Sequence, residues 1–258
     1  MFIELGGVDH HVAVQGEGPP IVFLHALGGQ LHAWDGVLAH LPPEHTLVRV
    51  DLRGHGRTAR GEQPLSVEGW ADDVAGLVDR LGLGAVALVG HSLSTLVAQH
   101  LAVTHPGAVD RLVLVGALAG PADAGAIGDR AAQIERDGLD AMADAWLERA
   151  LAAETRRRLP QLAGLARALL LANDPAAYAE AMRALATAPP IEHGDIRQPT
   201  LVLVGDEDRG TTPEHTRELA DAIPGARHHV VPGGAHWVML DQPAEVARQI
   251  ATHLGVSR

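Results

Sequence analysis

The sequence of 258 residues contains no cysteine. Disulfides, thiolate nucleophiles and cysteine metal sites are therefore excluded, so a covalent mechanism would have to use another side chain. No apolar run approaches the ~18 residues that span a bilayer, and the first residues lack the basic start and apolar core of a secretion signal. We expect a soluble, cytoplasmic protein.

Positive charge is also scarce. The chain has 20 Lys and Arg residues and 32 Asp and Glu residues, which gives a formal net charge of −12. Phosphate backbones and anionic lipids are attracted by basic surfaces, which this composition does not provide. We therefore expect neither a nucleic acid nor a membrane as partner, and favour a small-molecule substrate. The sequence does not set the oligomeric state.

Hydrophobic residues, in contrast, make up 47% of the chain, which is enough for one domain with a large core. Apolar runs of strand length alternate with segments at helical spacing, and several runs are apolar at consecutive positions. Such runs are typical of strands that helices cover on both faces. The alternation predicts an α/β fold with a doubly wound, mostly parallel sheet. The predicted strands lie in the runs HHVAV, PIVFLHA, TLVRVDL, AVALVGH, VDRLVLVGA, TLVLVGD and RHHVVPG.

One region interrupts this alternation. Residues 121–190 contain no strand candidate, and their Ala, Leu, Arg and Glu residues recur at helical spacing. We therefore predict that residues 121–190 form a small helical cap. The cap would be inserted into a core made by residues 1–120 and 191–258.

The stretch AVALVGHSLSTLVAQHLA, residues 85–102, raises the question of function. An apolar run ends at Gly90, presents Ser92 and resumes at helical spacing, as in a sharp turn that lifts a serine hydroxyl above a sheet. Ser94 stands where the usual Gly-x-Ser-x-Gly pattern has its second glycine. We expect Ser94 to be a tolerated small residue, the alternative being a hydroxyl that satisfies a backbone group. An ordinary strand-to-helix turn is the competing interpretation of the whole stretch.

A serine nucleophile requires a base, and the base requires an acid that orients it. His236 lies in a glycine-flanked loop after the last predicted strand. Three carboxylates, Asp206, Glu207 and Asp208, follow the strand in TLVLVGD. The chain thus offers a serine, an acid and a histidine in that order, with the choice of acid open.

The motifs LHALGG, DLRGHGRT, GHSLS, GDEDRGTTPEH and PGGAHWVMLDQPAEV together resemble the α/β-hydrolase superfamily over essentially the whole chain. The run NDPAAYAEAMRALATA and the sequence after it are most similar to the 3-oxoadipate enol-lactonase group. This resemblance implies an α/β-hydrolase fold with a helical cap. It also implies a serine hydrolase that cleaves a small carboxylic ester or lactone through an acyl-enzyme intermediate, without a cofactor.

The resemblance assigns a role to individual residues. It implies that Ser92 is the nucleophile and His236 the base. In the family's pattern the acid stands three residues after the glycine that ends the strand, which implies Asp208, with Asp206 as the runner-up. These residues would form a Ser-His-Asp catalytic triad.

The surroundings of the triad follow from the same resemblance. It implies an oxyanion hole made by the backbone N–H groups of Leu27 and Leu93. Trp34, Trp146 and Trp237 fall near the edges of the expected pocket, and we predict that they line the substrate site. An enol-lactone substrate of this group carries a carboxylate. Cap arginines that could meet it are Arg130, Arg136, Arg149 and Arg183.

The sixteen histidines raise the question of a metal site. No HExxH pattern occurs, and the adjacent pairs at 10–11 and 228–229 fall in strand-like runs, where neighbours face opposite ways. We therefore expect no metal. We predict structural roles for three further histidines, namely His25, His55 and His91.

Two other functions stay open at this point. The same triad serves carbon–carbon bond hydrolases and cofactor-free perhydrolases, because a fold does not determine a reaction. A protein with this fold can also bind a small ligand in the covered pocket without catalysis. The identity of the ester or lactone does not follow from the sequence.

Overall fold

A computed structural model of the chain describes residues 1–255. In this range eight strands form one sheet, in which the first, second, fourth, third, fifth, sixth, seventh and eighth strands are successive neighbours. The first two pairings are antiparallel and the others are parallel, so the predicted α/β fold with a mostly parallel sheet is confirmed. The strands are β1 (Phe2–Leu5), β2 (Val8–Gln15), β3 (Pro20–Leu24), β4 (Thr46–Val50), β5 (Val86–His91), β6 (Val109–Val115), β7 (Thr200–Gly205) and β8 (Arg227–Val231).

All seven predicted strand runs form strands, and only β1 is an addition to them. β1 is four residues long, has two exposed residues and only one buried residue, and pairs with β2 alone at the edge of the sheet. The central strands differ from it, because β5 and β7 are buried along their whole length. Their unbroken apolar runs thus reflect cover on both faces of the sheet.

Helices provide that cover, and eleven α-helices occur within residues 1–255. In α2 a stripe of Trp70, Val74 and Leu77, at helical spacing, is buried in the cluster on one face of the sheet. The helices are α1 (Asp35–Leu38), α2 (Val67–Arg80), α3 (Leu93–Thr104), α4 (Ala124–Asp137), α5 (Ala143–Ala150), α6 (Ala153–Arg158), α7 (Pro160–Leu171), α8 (Pro175–Ala186), α9 (Pro213–Ala222), α10 (Val238–Asp241) and α11 (Pro243–Leu254). Single 3₁₀ turns span Leu31–Trp34, Pro106–Ala108, Asp140–Met142 and His193–Asp195.

The core consists of two hydrophobic clusters, one on each face of the sheet. In β3, Ile21 and Phe23 belong to one cluster, whereas Val22 and Leu24 belong to the other. This division follows from the alternation of side chains along a strand.

Five of the helices, α4 to α8, occupy the chain between β6 and β7. Many of their buried residues, among them Ile134, Leu170 and Tyr178, belong to the same cluster as Phe23 of the sheet. We call residues 121–190 the helical segment. Its role as a cap, and the division of the chain at its ends, stay predictions.

No helix among residues 1–255 combines the length and the apolar character needed to cross a membrane. The same residues contain no group of three His, Asp or Glu side chains that could hold a metal ion.

Candidate active site

Ser92 forms the turn between β5 and α3. Its backbone angles are φ 53° and ψ −114°, and no other non-glycine residue in the described range 1–255 has a positive φ. Such a conformation costs on the order of 1–3 kcal/mol, so neighbouring contacts must hold it. One of them is the hydrogen bond from the Ser92 N–H to the Val115 carbonyl oxygen, at 2.9 Å. The turn has the shape of a nucleophile elbow.

Gly90 allows the strand and the helix on either side of this elbow to touch. A Cβ atom at Gly90 would lie 2.6 Å from the carbonyl oxygen of Ser94. That separation is far below van der Waals contact, and any side chain at position 90 would push α3 away from β5.

Ser94 is fully buried in the first turn of α3. Its hydroxyl donates a short hydrogen bond to the carbonyl oxygen of His25, which begins the loop HALGG. The hydroxyl therefore satisfies a buried backbone group, and our expectation of a merely tolerated residue is wrong. The bond ties the helix that follows Ser92 to the loop that contains Leu27.

Ser92, His236 and Asp208 form one continuous hydrogen-bonded line. The Ser92 Oγ lies 3.0 Å from His236 Nε2, and His236 Nδ1 lies 2.7 Å from Asp208 Oδ2. With Nδ1 donating to the carboxylate, Nε2 is left to accept the serine proton. An imidazole in this position can act as a general base toward the hydroxyl.

Asp208 is held by several donors at once. It is 3% exposed and also accepts the N–H groups of Gly210 and Thr211, at 2.8 and 3.0 Å, and the Thr211 hydroxyl at 2.7 Å. Burial opposes ionisation, but the charge and hydrogen bond of His236, with those donors, lower the pKa of Asp208 to about 2. The carboxylate is ionised at neutral pH and can stabilise an imidazolium.

The two neighbouring acids are directed elsewhere. Asp206 is exposed and accepts the N–H groups of Gly233 and Gly234, at 2.7 and 3.3 Å. Glu207 is also exposed. Of the three candidate acids the structure brings Asp208 to the imidazole.

The approach of acid and histidine depends on Gly205 at the end of β7. A Cβ atom there would lie 2.6 Å from the carbonyl oxygen of Ala235 and closer still to that of Gly234. Because position 205 has no side chain, the loop that carries His236 packs directly on the strand that leads to Asp208.

His25 and His55 are buried beside the HALGG loop. The His25 Nδ1–H donates to the Ala26 carbonyl oxygen at 2.8 Å, and its Nε2 accepts the Leu52 N–H at 3.0 Å. Burial lowers the pKa of His25, and burial together with the charge of His25 lowers the pKa of His55 to about 3. Both rings are neutral at pH 7 and fit the structural role predicted for them.

His91 supports the loop of the candidate base. Its Nε2–H donates to the carbonyl oxygen of His236 at 2.8 Å. The ring packs edge-on against Trp34 and Trp237. Burial holds the pKa of His91 well below its usual value, so this ring is a neutral donor that positions the His236 backbone.

A cavity of about 200 Å³ opens onto Ser92 and His236. The HALGG loop contributes Ala26 and Leu27 to its wall, and most of the remaining lining comes from the helical segment. The hydroxyl and the imidazole are thus reached from a small, partly apolar compartment.

The three predicted tryptophans have different positions. Trp146 and Trp237 line the cavity, with their rings edge to face and the centroids 5.0 Å apart. Trp34 is fully buried beneath it and packs on Phe23, at 5.3 Å between centroids. The prediction that Trp34 lines the substrate site is therefore wrong, because its apolar ring belongs to the core.

The two predicted oxyanion donors lie next to Ser92. Leu27 lines the cavity, and Leu93 is the first residue of α3, where helical N–H groups have no partner within the helix. Within residues 1–255 neither N–H donates to a protein acceptor. Both N–H groups thus lack a partner in the described range, and their role as an oxyanion hole stays a prediction.

Two of the four candidate arginines reach the cavity. Arg130 and Arg149 line it, whereas Arg136 and Arg183 form ion pairs with surface carboxylates. Burial is the largest cause that lowers the pKa of Arg149, and the nearby charge of Arg130 is the second. Tyr178 lies close to both, and burial raises its pKa to about 12 against the opposing effect of the two charges.

Sequence reasoning missed Tyr178, although one signal was present. It is the only tyrosine of the chain and stands on an alanine-rich helix, where a large side chain needs an explanation. Its ring lies against Gly28 of the HALGG loop and forms part of the cavity wall. The contact connects α8 to the loop that carries Leu27.

The chain is similar to known proteins in both sequence and structure. The sequence profile of a family described as the α/β-hydrolase fold matches residues 19–243. The crystal structure of the enol-lactonase from Burkholderia xenovorans LB400 is similar, with a TM-score of 0.94 and 28% identity over 99% of this chain and all of that chain.

Two curated relatives are similar over most of their length. The (E)-2-((N-methylformamido)methylene)succinate hydrolase of Acinetobacter baylyi is 27% identical over 242 residues, which cover 92% of this chain and 90% of the relative. The 2-hydroxy-6-oxo-2,4-heptadienoate hydrolase of Pseudomonas putida is 30% identical in an alignment of 260 positions, and this alignment covers 92% of this chain and 89% of the relative.

The position of the acids leads to a first prediction. We expect Asp208→Asn to lower kcat on an ester substrate by roughly two to four powers of ten, because the imidazole loses both its orientation and its counter-charge. Asp206→Asn should cost much less, since its carboxylate only caps the loop. Kinetics on purified, folded variants test this, and the reverse order would move the acid to Asp206.

The Ser94 hydroxyl leads to a second prediction. Ser94→Ala leaves the buried His25 carbonyl without a donor, so the free energy of unfolding should fall by about 1–3 kcal/mol. Thr104→Ala is the control, because its hydroxyl bonds the His100 carbonyl at the exposed end of the same helix. Urea unfolding measures both, and equal losses would contradict a special role of Ser94.

Proposed function

This chain belongs to the α/β-hydrolase family, and on that premise we propose that it is a serine hydrolase that cleaves a small carboxylic ester or lactone. The observation that carries the proposal is the hydrogen-bonded line of Ser92, His236 and Asp208 at the base of a cavity. The similarity to an enol-lactonase supports a lactone as one form of substrate.

In the proposed first step the Ser92 Oγ attacks the substrate carbonyl carbon while His236 Nε2 takes the serine proton. The ionised Asp208 stabilises the imidazolium that results. The carbonyl oxygen becomes negatively charged, and the N–H groups of Leu27 and Leu93 stabilise it. The bond from Ser94 to the His25 carbonyl supports this step, because it links the two elements that carry these donors.

Before the second step His236 gives its proton to the leaving oxygen as the bond between that oxygen and the carbonyl carbon breaks, which forms the acyl-enzyme; in a lactone this oxygen stays attached to the acyl group. In the second step His236 removes a proton from a water molecule that attacks the acyl carbon. His236 then returns this proton to the Ser92 Oγ as the acyl C–Oγ bond breaks, and the carboxylic acid and the free serine are released. Each step uses only groups of the chain, the substrate and water.

We further propose that the helical segment, residues 121–190, acts as the cap. The support is that Ile127, Met142 and Trp146 of this segment line the same cavity as Ser92. Such a cover restricts water and selects substrates by size. We also propose that the protein acts in the cytoplasm on small molecules. Its net charge of −12 disfavours nucleic acid and membranes as partners.

Arg130 and Arg149 favour a substrate that carries a negative charge. Both line the cavity with solvent-accessible side chains, although part of Arg149 is buried, and neither has an ion pair in the described part of the chain, so their charges are available to a ligand. In a protein with a large negative net charge they form a local positive region, which raises the concentration of anions near Ser92.

Hydrolysis of a carbon–carbon bond on the same triad is the second candidate. It is favoured by the similarity to a 2-hydroxy-6-oxo-2,4-heptadienoate hydrolase over most of both chains. A panel of enol-lactones, small esters and vinylogous diketones separates the two candidates. We expect turnover of lactones and esters, and turnover of diketones alone would select the second candidate.

The triad gives a third prediction. Ser92→Ala should lower kcat on a cognate ester by roughly 10⁴- to 10⁶-fold with the fold intact, and His236→Ala by nearly as much, since the two act as a unit. A fluorophosphonate should label the wild type and not Ser92→Ala. A Ser92→Ala variant that kept a tenth of the activity would refute the proposal, and an unlabelled wild type would indicate a binding protein.

The arginines give a fourth prediction. Arg130→Gln and Arg149→Gln should each raise KM about two- to fivefold for an ester with a distal carboxylate, as expected for a partly exposed ion pair. The KM for a neutral ester of the same size should not change, and high salt should weaken the effect. Arg136→Gln is the matched control on the surface of α4. Equal effects on both esters would exclude charge recognition.

A further inference from the structure

One buried carboxylate, that of Asp241 at the end of α10, contacts two distant parts of the chain. Its Oδ2 accepts the N–H of Ala235, the residue before His236, at 2.8 Å. Both of its oxygens share the N–H of Ala152 in the helical segment, at 3.2 and 3.1 Å. The Thr155 side chain contributes a further hydrogen bond from the segment.

A second bond runs between the same two regions. The N–H of Trp237, the residue after His236, donates to the Ala150 carbonyl oxygen at 2.7 Å. The backbone on both sides of the imidazole is therefore attached to the short connection between α5 and α6. The orientation of His236 depends on where that connection lies.

The end of α5, directly before the connection, belongs to the cavity wall. Trp146, Arg149 and Ala150 line the cavity, and Ala152 follows Ala150 by two residues. A displacement of this wall, for instance by a bound acyl group, moves the N–H that Asp241 holds.

The chemistry of Asp241 suits a bridge between two backbone segments. The side chain is 8% exposed, and no cation is paired with it within residues 1–255. Burial, which the nearby charge of Glu207 reinforces, raises its pKa. A carboxylate is costly to bury without a cation, but its two acceptor oxygens can serve donors from both segments at once. An asparagine offers only one acceptor oxygen.

We propose that Asp241 is a positioning residue that couples the cavity wall in the helical segment to the orientation of His236. The bridge runs from Ala152 through the carboxylate to Ala235. The proposal rests on the proposed function, because it takes His236 to be the base. The cavity wall in the helical segment and the His236 loop then move as one unit, so that the imidazole is aligned only when this wall is in place.

The same loop provides a matched control. Asp206 also caps this loop by accepting two of its N–H groups, those of Gly233 and Gly234, but no bond of Asp206 reaches the helical segment in the described part of the chain. Asp206→Asn therefore removes a loop cap of the same chemical kind without removing the bridge.

The test compares Asp241→Asn with Asp206→Asn. Active sites are titrated with a fluorophosphonate, so that kcat refers to folded, reactive enzyme and a loss of stability alone does not lower it. For Asp241→Asn we expect kcat to fall roughly 10- to 100-fold, as for a small misplacement of a catalytic group, with KM changed by less than about threefold. For Asp206→Asn both constants should stay within about threefold of the wild type.

Amide hydrogen exchange provides a readout that does not depend on activity. In Asp241→Asn, exchange should accelerate at Ala152 and at Ala235 together. Thr155→Val removes a bond on the segment side only, and it should also accelerate exchange at Ala235. This variant keeps the carboxylate and replaces Asp241→Asn if the latter does not fold.

Three results would overturn the proposal. They are a kcat of Asp241→Asn within threefold of the wild type, equal losses of kcat in Asp241→Asn and Asp206→Asn, and an unchanged exchange rate at Ala235 in Thr155→Val. A wild type that neither reacts with the phosphonate nor turns over esters would defeat the proposed function instead. In that case the exchange rates alone decide whether the bridge couples wall and loop.

Discussion

The structure depends on one unfavourable backbone conformation, the positive φ of Ser92. A residue with a side chain stays in that conformation only if its neighbours leave no alternative. Gly90 lets β5 and α3 touch, and the Ser94 hydroxyl attaches the first turn of α3 to the HALGG loop through His25. The strained turn, the helix N-terminus and the loop thus form one rigid assembly. The remaining parts of the site, the acid and the histidine, are brought to this assembly by other strands.

Two buried carboxylates show how surroundings give the same side chain different tasks. Asp208 faces His236, whose charge and hydrogen bond lower the pKa of the acid to about 2 against the effect of burial. Asp241 faces backbone N–H groups and no cation in the described range, and burial raises its pKa. The first arrangement suits a group that must stabilise a transient positive charge. The second suits a group that joins segments of backbone, because neutral donors are directional but contribute no compensating charge.

The sequence predicted the features that depend on local pattern. Seven strands followed from their apolar runs, and the resemblance to α/β-hydrolases and the enol-lactonase group is confirmed. The resemblance, through the family's pattern, implied Asp208, which is the aspartate that contacts His236. The sequence did not reveal hydrogen-bond partners that lie far apart along the chain. Examples are the His25 carbonyl for the Ser94 hydroxyl and the Ala152 N–H for the Asp241 carboxylate. The short strand β1 lacked an apolar run. The prediction for Trp34 was wrong because the residue type alone does not distinguish a tryptophan in the core from one that lines a cavity.

The shared core of the sheet and the helical segment determines how molecules reach Ser92. Because residues such as Ile134, Leu170 and Tyr178 pack in one cluster with Phe23, lifting the whole segment would expose a continuous apolar surface to water. Each square ångström would cost about 25 cal/mol, so a rigid lid motion is unfavourable. The exposed side chains of Arg130 and Arg149 at the cavity can instead change rotamers at little cost. A change of these two rotamers alters the cavity wall without separating the helical segment from the sheet.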